Sequence, residues 1–139
     1  MTLPTPSPNY RTGKICYIEI PAIDISESAQ FYQCAFGWHI RQRDDGSTAF
    51  DDSTAEVSGT WVLGRPPSTD PGLVVSIMVA SAAKTIETII TAGCEIVQPV
   101  NPEEREVYAL FRDPAGNILG IYQQPGLAEI EAEPTADKR

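Results

Sequence analysis

The chain has 139 residues, 42% of them hydrophobic and 21% charged, and its 19 acidic and 10 basic side chains give a formal net charge of −9. This length fits one domain with its own core, since single domains cluster near ~100 to 150 residues. An acidic surface disfavours nucleic acid and anionic membranes as partners. Because the sequence has neither a signal peptide nor a run of ~20 apolar residues, we expect a cytoplasmic protein.

The first half of the chain predicts one strand, one helix and three further strands. β-Branched and aromatic residues favour a strand over residues 14–22. A helix is expected over residues 24–36, with Asp24 capping its first turn and Gly37 ending it in a left-handed conformation. The three later strands are predicted at residues 38–43, 48–52 and 57–63.

After a proline-rich connection the same order of elements begins again. A strand is predicted over residues 73–80, followed by a helix that places Ile86, Ile89 and Ile90 on one face and ends at Gly93. Three more strands are predicted at residues 95–100, 107–112 and 117–122.

Some polar residues are interpreted as structural. Asp113 and Asn117 flank a Pro-Ala-Gly sequence that is typical of a tight turn, so we expect them to shape that turn. His39 is the one histidine of the chain and is interpreted as a surface or strand residue, and it is a candidate general base only if it lies in a cleft. Buried free thiols are expected at Cys16, Cys34 and Cys94.

The two halves are similar enough to indicate an internal duplication. It predicts an α+β fold of two βαβββ units whose curved sheets form one cleft, with the helices outside. The alignment of the halves pairs Phe50 with Phe111, Gly59 with Gly120 and Trp61 with Tyr122. The expected organisation is a flexible extension at 1–13, repeats at 14–64 and 72–123 within one domain at 14–123, and an acidic flexible tail at 124–139.

Two segments resemble the vicinal oxygen chelate superfamily, which includes glyoxalase I, bleomycin resistance proteins and extradiol dioxygenases. They are IPAIDISESAQFYQCAFGW at residues 20–38 and FRDPAGNILGIYQ at residues 111–123. The resemblance implies a cleft in which catalytic members hold one divalent metal, through His, Glu or Gln on the first and fourth strand of each unit. It also implies a homodimer.

The positions that match the metal ligands of the family lack ordinary ligands in this chain. The resemblance places them at Tyr17 and Val74 on the first strands and at Gly59 and Gly120 on the fourth strands. Valine and glycine have no donor atom, and a neutral phenol is a poor ligand. A shift of the alignment by one residue offers Cys16, Ser58, Thr60 or Leu119, and this set fails as well. We therefore expect neither a metal nor another cofactor.

Alternation along the strands then predicts which side chains line the cleft. Glu19 is the one acid among them, and burial would raise its pKa toward that of a useful general acid or base. The alternative is a Glu19 carboxylate paired with a hydroxyl or an arginine, and for Trp61 and Tyr122 the alternative is packing between sheets. Alternation gives Tyr17, Glu19, Gly59, Trp61, Gly120 and Tyr122 as lining residues, and Phe50 and Phe111 are added to them although the sequence does not fix the side of the strand to which they point.

Three functions are consistent with these residues. The first is metal-free binding of a small aromatic or amphipathic molecule in the cleft. The second is a metal-independent enzyme that uses Glu19 as a general acid or base, and the third is a metal-dependent lyase, epimerase or dioxygenase. The expected partners are a small-molecule ligand and a second copy of the chain.

Overall fold

The computed structural model describes residues 10–132, and the contacts within it separate the chain into two compact units that divide between Arg65 and Pro66. Each unit has a four-stranded sheet of mixed direction and a helix that follows the first strand of that sheet. The predicted α+β fold with two βαβββ units is therefore confirmed. The ends of the chain, residues 1–9 and 133–139, lie outside the described residues and include parts of the predicted extension and tail.

The first unit begins with the predicted strand and helix. Asp24 caps the helix by accepting a hydrogen bond from the Glu27 amide at 3.1 Å, and Gly37 ends it with a φ of 72°. In the sheet the strand order is β1-β4-β3-β2, with β1 and β4 parallel and the other pairs antiparallel. The elements are β1 Tyr17–Ala22, α1 Ile25–Phe36, β2 His39–Gln42, β3 Thr48–Asp51 and β4 Ser58–Leu63.

An aromatic cluster forms the core of the first unit between α1 and the sheet. Trp38 stacks on Tyr32 of α1 and on Phe50 of β3, with ring centroids 4.6 and 4.5 Å apart. Trp61 of β4 lies 4.8 Å from the Phe50 ring, and all four side chains are buried. Burial of a large ring contributes about 2 kcal/mol, so these contacts fix α1 on one face of the sheet.

The second unit repeats this order and adds a third helix. Its strand order is β5-β8-β7-β6, with β5 and β8 parallel. On α2 the buried residues are Ala82, Thr85 and Ile89, whereas Ile90 is 57% exposed, so the prediction that Ile90 shares the buried face is wrong. One residue adds 100° around a helix, which turns Ile90 away from Ile89. The elements are β5 Ser76–Val79, α2 Ala82–Thr91, β6 Glu95–Gln98, β7 Tyr108–Arg112, β8 Ile118–Gln123 and α3 Leu127–Ala132.

Asp113 and Asn117 hold the turn between β7 and β8. Asp113 Oδ1 accepts hydrogen bonds from the amides of Ala115 and Asn117 at 3.0 and 2.9 Å, and its Oδ2 accepts one from Asn117 Nδ2 at 2.9 Å. Asn117 Oδ1 in turn accepts the Ser68 amide at 2.8 Å. The interpretation of both residues as turn residues is confirmed, and Asn117 also anchors the connection that precedes β5.

Two local features differ from the sequence-based expectations. Residues 127–132, within the predicted flexible tail, form the short helix α3, which is consistent with the helix-favouring Leu, Ala and Glu of this segment. The prediction of buried thiols is wrong for Cys16 and Cys34, which are exposed, while Cys94 is half-buried. Cys34 lies on the side of α1 opposite to Tyr32, so apolar neighbours in sequence do not cover it. Within residues 10–132, no helix is long and apolar enough to cross a membrane.

Candidate functional site

The sheet of the first unit has one face packed on α1 and one face that α1 does not cover. In the parallel pairing of β1 and β4, Tyr17 lies opposite Ser58 and Glu19 lies opposite Thr60. These four side chains share the face away from α1, because alternate residues of a strand point to opposite sides. We call this the open face of the first sheet. By the pairing of β2, β3 and β4 it also includes His39, Arg41 and Asp51.

Three predicted lining residues lie on the other face. Gly59 pairs with Phe50 of β3, and Trp61 packs 6.0 Å from the Tyr32 ring of α1. The prediction that Gly59 and Trp61 point to the same side as Tyr17 and Glu19 is therefore wrong, and Phe50, whose side the sequence left open, lies on the core face as well. For Trp61 the alternative of structural packing is confirmed, since its side chain is 3% exposed within the aromatic cluster.

A difference of one residue between the two units explains this error. Phe50 pairs with Gly59, nine positions later, whereas Phe111 pairs with Leu119, eight positions later. The β3–β4 connection is thus one residue longer than the β7–β8 connection, and a shift of one residue moves a side chain to the opposite face. The structural counterpart of Gly120 is Thr60, which is one of the four residues that the shifted alignment offers.

In the second sheet, Gly120 and Tyr122 lie on the face away from the core. Gly120 pairs with Ser76, and a Cβ atom added to Gly120 would lie 2.7 Å from Ser76 Oγ. Tyr122 donates a hydrogen bond to Glu106 Oε2 at 2.7 Å, and this bond raises the pKa of the Tyr122 phenol, which stays neutral. The sequence left the direction of Phe111 open; its side chain is fully buried on the core face opposite Leu119 and does not line the face that carries Gly120 and Tyr122.

Glu19 is exposed and paired. Its Oε1 lies 2.7 Å from Arg65 Nη1, and the side chains of Arg65 and Glu19 are 50% and 45% exposed. The expected burial of Glu19 is therefore wrong, and the alternative of a carboxylate paired with an arginine is confirmed. The contact with Arg65 supports a positioning role for the Glu19 carboxylate.

The open face carries a second ion pair, between Arg41 and Asp51, which was not predicted from the sequence. Asp51 accepts hydrogen bonds from Arg41 Nε at 2.9 Å and from Ser58 Oγ at 2.6 Å. The bond from Arg41, followed by that from Ser58, lowers the pKa of the Asp51 carboxyl. The usable signal was the hairpin register, which brings Arg41 and Asp51 to neighbouring positions of antiparallel strands. His39 is exposed at the start of β2, in agreement with its interpretation as a surface residue.

The lowered pKa of Asp51 predicts acid-sensitive stability. In the unfolded chain Asp51 titrates near an ordinary pKa of about 4, so its contribution to stability is complete above that pH. The contribution is lost as the pH falls through the lower pKa of the folded protein. We expect wild type to lose stability relative to Asp51→Asn below about pH 4, by roughly 1 kcal/mol or less because the pair is partly exposed. Urea unfolding between pH 7 and pH 3 measures this difference, and parallel pH curves for the two proteins would contradict it.

The residues present do not fit the metal that the resemblance implies. In the corrected register the four positions hold Tyr17, Thr60, Val74 and Gly120, none of which supplies a carboxylate or an imidazole. Among the residues that the structure describes, His, Cys, Asp and Glu side chains form no group of three or more that could hold a metal ion.

A groove of about 620 Å³ lies between α1 and the end of the β2–β3 hairpin. Its lining includes Gln30 and Gln33 of α1 and Gln42 of β2, and no charged side chain is among its lining residues. Trp61 contributes to the wall, and its buried Nε1 has no hydrogen-bond partner within the described part of the chain. These α1 residues lie on the helix side of the sheet, and the groove also reaches Thr60 of the open face.

Comparisons with known proteins agree with this architecture. The family model described as Glyoxalase/Bleomycin resistance protein/Dioxygenase superfamily matches residues 14–121. A superfamily member from Sphaerobacter thermophilus has a TM-score of 0.65 and 17% identity, over 81% of this chain and 98% of that one. A second structure is a mutant of the fosfomycin resistance protein FosX from Listeria monocytogenes in complex with Mn(II) and 1S,2S-dihydroxypropylphosphonic acid. It has a TM-score of 0.66 and 13% identity, over 84% of this chain and 94% of that chain.

A hypothetical protein from S. aureus is similar to the same degree, with a TM-score of 0.66 and 14% identity over 84% of this chain and 97% of that chain. Comparison with curated protein sequences gives no match. The structural similarities are at low identity and establish the fold alone, whereas the family model covers most of the chain. The chain belongs to the glyoxalase/bleomycin resistance protein/dioxygenase superfamily.

Proposed function

We propose that this protein binds a small organic molecule on the open face of its first sheet without a metal ion. The observation that carries the proposal is the replacement of metal-binding side chains at the family positions of this sheet by Tyr17 and Thr60. Both carry a hydroxyl, which suits hydrogen bonding to an organic ligand better than coordination of a cation. The open face thus offers recognition groups where catalytic relatives hold a metal.

The side chains of the open face favour an amphipathic ligand over a purely apolar one. Phe50 and Trp61, which were expected to supply aromatic surface, are buried in the core of the first unit. Tyr17 remains, and its 44% exposure leaves ring surface for stacking. Around it lie hydroxyl groups and two ion pairs, so a ligand with both an aromatic or apolar part and a polar part matches the face.

The ligand of a structural relative supports a small organic molecule as the ligand of this protein. The FosX mutant from Listeria monocytogenes was crystallised with Mn(II) and a dihydroxypropylphosphonic acid, which is a small polar molecule. This chain shares the fold of that protein at 13% identity. Because its own family positions do not supply metal ligands, we propose that it shares small-molecule binding with such relatives but not the metal.

A ligand screen with matched blocking variants tests the proposal. The purified protein is screened by thermal shift against small aromatic and aliphatic acids, amides and alcohols, in buffer that contains EDTA. Ser58→Tyr places a large side chain on the open face and outside the groove lining, and Gln33→Tyr places the same side chain in the groove. We expect compounds that stabilise wild type in EDTA to lose their effect on Ser58→Tyr and keep it on Gln33→Tyr. Ligand effects that persist in Ser58→Tyr, or that vanish in EDTA, would contradict the proposal.

A further inference from the structure

The arginines near the open face differ in their partners. Arg41 is paired with Asp51, and Arg65 is paired with Glu19. Arg43 is half-buried and, among residues 10–132, has no carboxylate oxygen within 4 Å of its guanidinium. The charges within each of the two ion pairs cancel, so Arg43 is the arginine near this face whose charge no ion pair offsets, in a protein whose formal net charge is −9.

The backbone around Arg43 is fixed by the turn that joins β2 and β3. The Arg43 amide donates to the Ser47 carbonyl at 2.8 Å, and the Arg43 carbonyl accepts the Gly46 amide at 2.9 Å. Gly46 has a φ of 86°, which glycine adopts without strain. The turn therefore holds the base of the Arg43 side chain in one place, which lowers the entropy lost when the guanidinium binds a ligand.

The end of the Arg43 side chain is directed to Tyr17. Arg43 Nη2 donates a hydrogen bond to the Tyr17 hydroxyl, and Arg43 Cζ lies 5.8 Å from the centroid of the Tyr17 ring. A guanidinium has five N–H groups, and within the described residues this is the one side-chain hydrogen bond that Arg43 donates. Most of its donors thus remain available beside Tyr17, a position that matches a metal ligand of the family.

Within the described residues, Arg43 forms no ion pair with Asp44 or Asp45, the acidic residues of its own turn. Asp45 lies in the same turn and accepts hydrogen bonds from the Ser47 amide at 2.9 Å and from Ser47 Oγ at 2.6 Å. These bonds hold the Asp45 carboxylate on Ser47, although Arg43 still acts on it at longer range. A partly desolvated arginine with free donors and no bonded carboxylate favours an oxyanion, which it can bind through two parallel hydrogen bonds.

We propose that Arg43 and Tyr17 bind an oxyanionic group of the ligand, a carboxylate or a phosphonate, so that a fixed guanidinium supplies the positive charge that a metal supplies in catalytic relatives. This inference rests on the proposed function, because it names the ligand class of the same face. In the complex, Arg43 donates two parallel hydrogen bonds to the oxyanion. The Tyr17 hydroxyl accepts a hydrogen bond from Arg43 and donates one to the ligand.

Titrations with three matched probes test this inference. Benzoate and phenylphosphonate carry an oxyanion on a phenyl ring, whereas benzamide carries a neutral group on the same ring. Binding to the full-length protein in EDTA is followed by NMR or calorimetry. We expect both anions to bind at least tenfold more tightly than benzamide, with an affinity that falls as salt is raised. Preference between the two anions distinguishes a carboxylate ligand from a phosphonate ligand.

Variants of Arg43 and of an arginine outside the open face provide the test and its control. Arg43→Gln is expected to lower the affinity for the preferred anion at least tenfold and leave that for benzamide unchanged, and Arg43→Lys to restore part of the loss. Arg105→Gln removes an exposed arginine of the second unit, which is not part of the open face of the first sheet, so we expect little effect on either probe. Thermal unfolding verifies that each variant is folded. Equal losses for benzoate and benzamide, or anion binding unchanged in Arg43→Gln, would overturn the inference. Tight benzamide binding without a preference for the anions would overturn this inference and leave the proposed function standing. If no compound in the ligand screen bound the open face, both the proposed function and this inference would be overturned.

Discussion

Gly59→Ala is expected to destabilise the protein by about 3 kcal/mol, which corresponds to a fall in Tm of roughly 10 °C for a chain of this size. A Cβ atom on Gly59 would lie 2.1 Å from the Ile18 carbonyl oxygen and 2.3 Å from Cζ of Phe50. The backbone oxygen belongs to the neighbouring strand β1 and cannot move without breaking the pairing of β1 with β4. Thermal unfolding followed by circular dichroism measures the loss.

Gly120→Ala is the matched control, since sequence alignment of the two halves pairs these glycines. A Cβ atom on Gly120 meets Ser76 Oγ at 2.7 Å and Leu110 Cδ2 at 3.4 Å, and both are ends of side chains that can rotate. We expect a loss of about 1 kcal/mol or less. If the two variants were equally destabilised, the assignment of Gly59 to the core face and of Gly120 to the other face would be wrong.

Trp61→Ala is expected to cost about 4 kcal/mol, because it removes a buried ring from the aromatic cluster and leaves a cavity beneath α1. The Trp61 ring lies 4.8 Å from Phe50 and 6.0 Å from Tyr32, so its loss weakens the contact between the helix and the sheet. Urea unfolding measures the difference in the free energy of unfolding between wild type and the variant.

Tyr122→Ala provides the comparison for Trp61, since the aligned halves place these residues at the same position. Tyr122 is half-buried, and its hydroxyl contacts the exposed Glu106. We expect this variant to lose no more than about 1.5 kcal/mol. A Trp61 variant as stable as the Tyr122 variant would contradict the assignment of Trp61 to the core.

Much of the fold could be predicted from the sequence because the local signals agree with one another. Asp24 and Gly37 delimit α1 by capping, and the Asp113 turn positions the last strand pair. The duplication then gave the order of elements. The helix α3 could not be predicted in the same way, because its apolar residues are few and an isolated short helix has no tertiary signal in the sequence.

The candidate site was harder to predict because side-chain direction depends on pairing register. One additional residue between Phe50 and Gly59 reverses the faces of Gly59 and Trp61, and no local sequence signal shows that the turns differ in length. Tyr17 and Glu19 lie on one face as expected. The Arg65 partner of Glu19 comes from beyond the end of β4, so the ion pair required the parallel pairing of β1 with β4.

The metal content of the purified protein tests the central claim most directly. The protein is incubated with manganese, nickel, zinc or iron(II), dialysed without chelator, and analysed for each element, with a denatured sample as the control for adventitious ions. Because Tyr17 and Thr60 replace metal-binding side chains, we predict far less than one ion per chain for every metal, together with ligand binding that EDTA does not change. One tightly held ion per folded chain, required for ligand binding, would contradict the account.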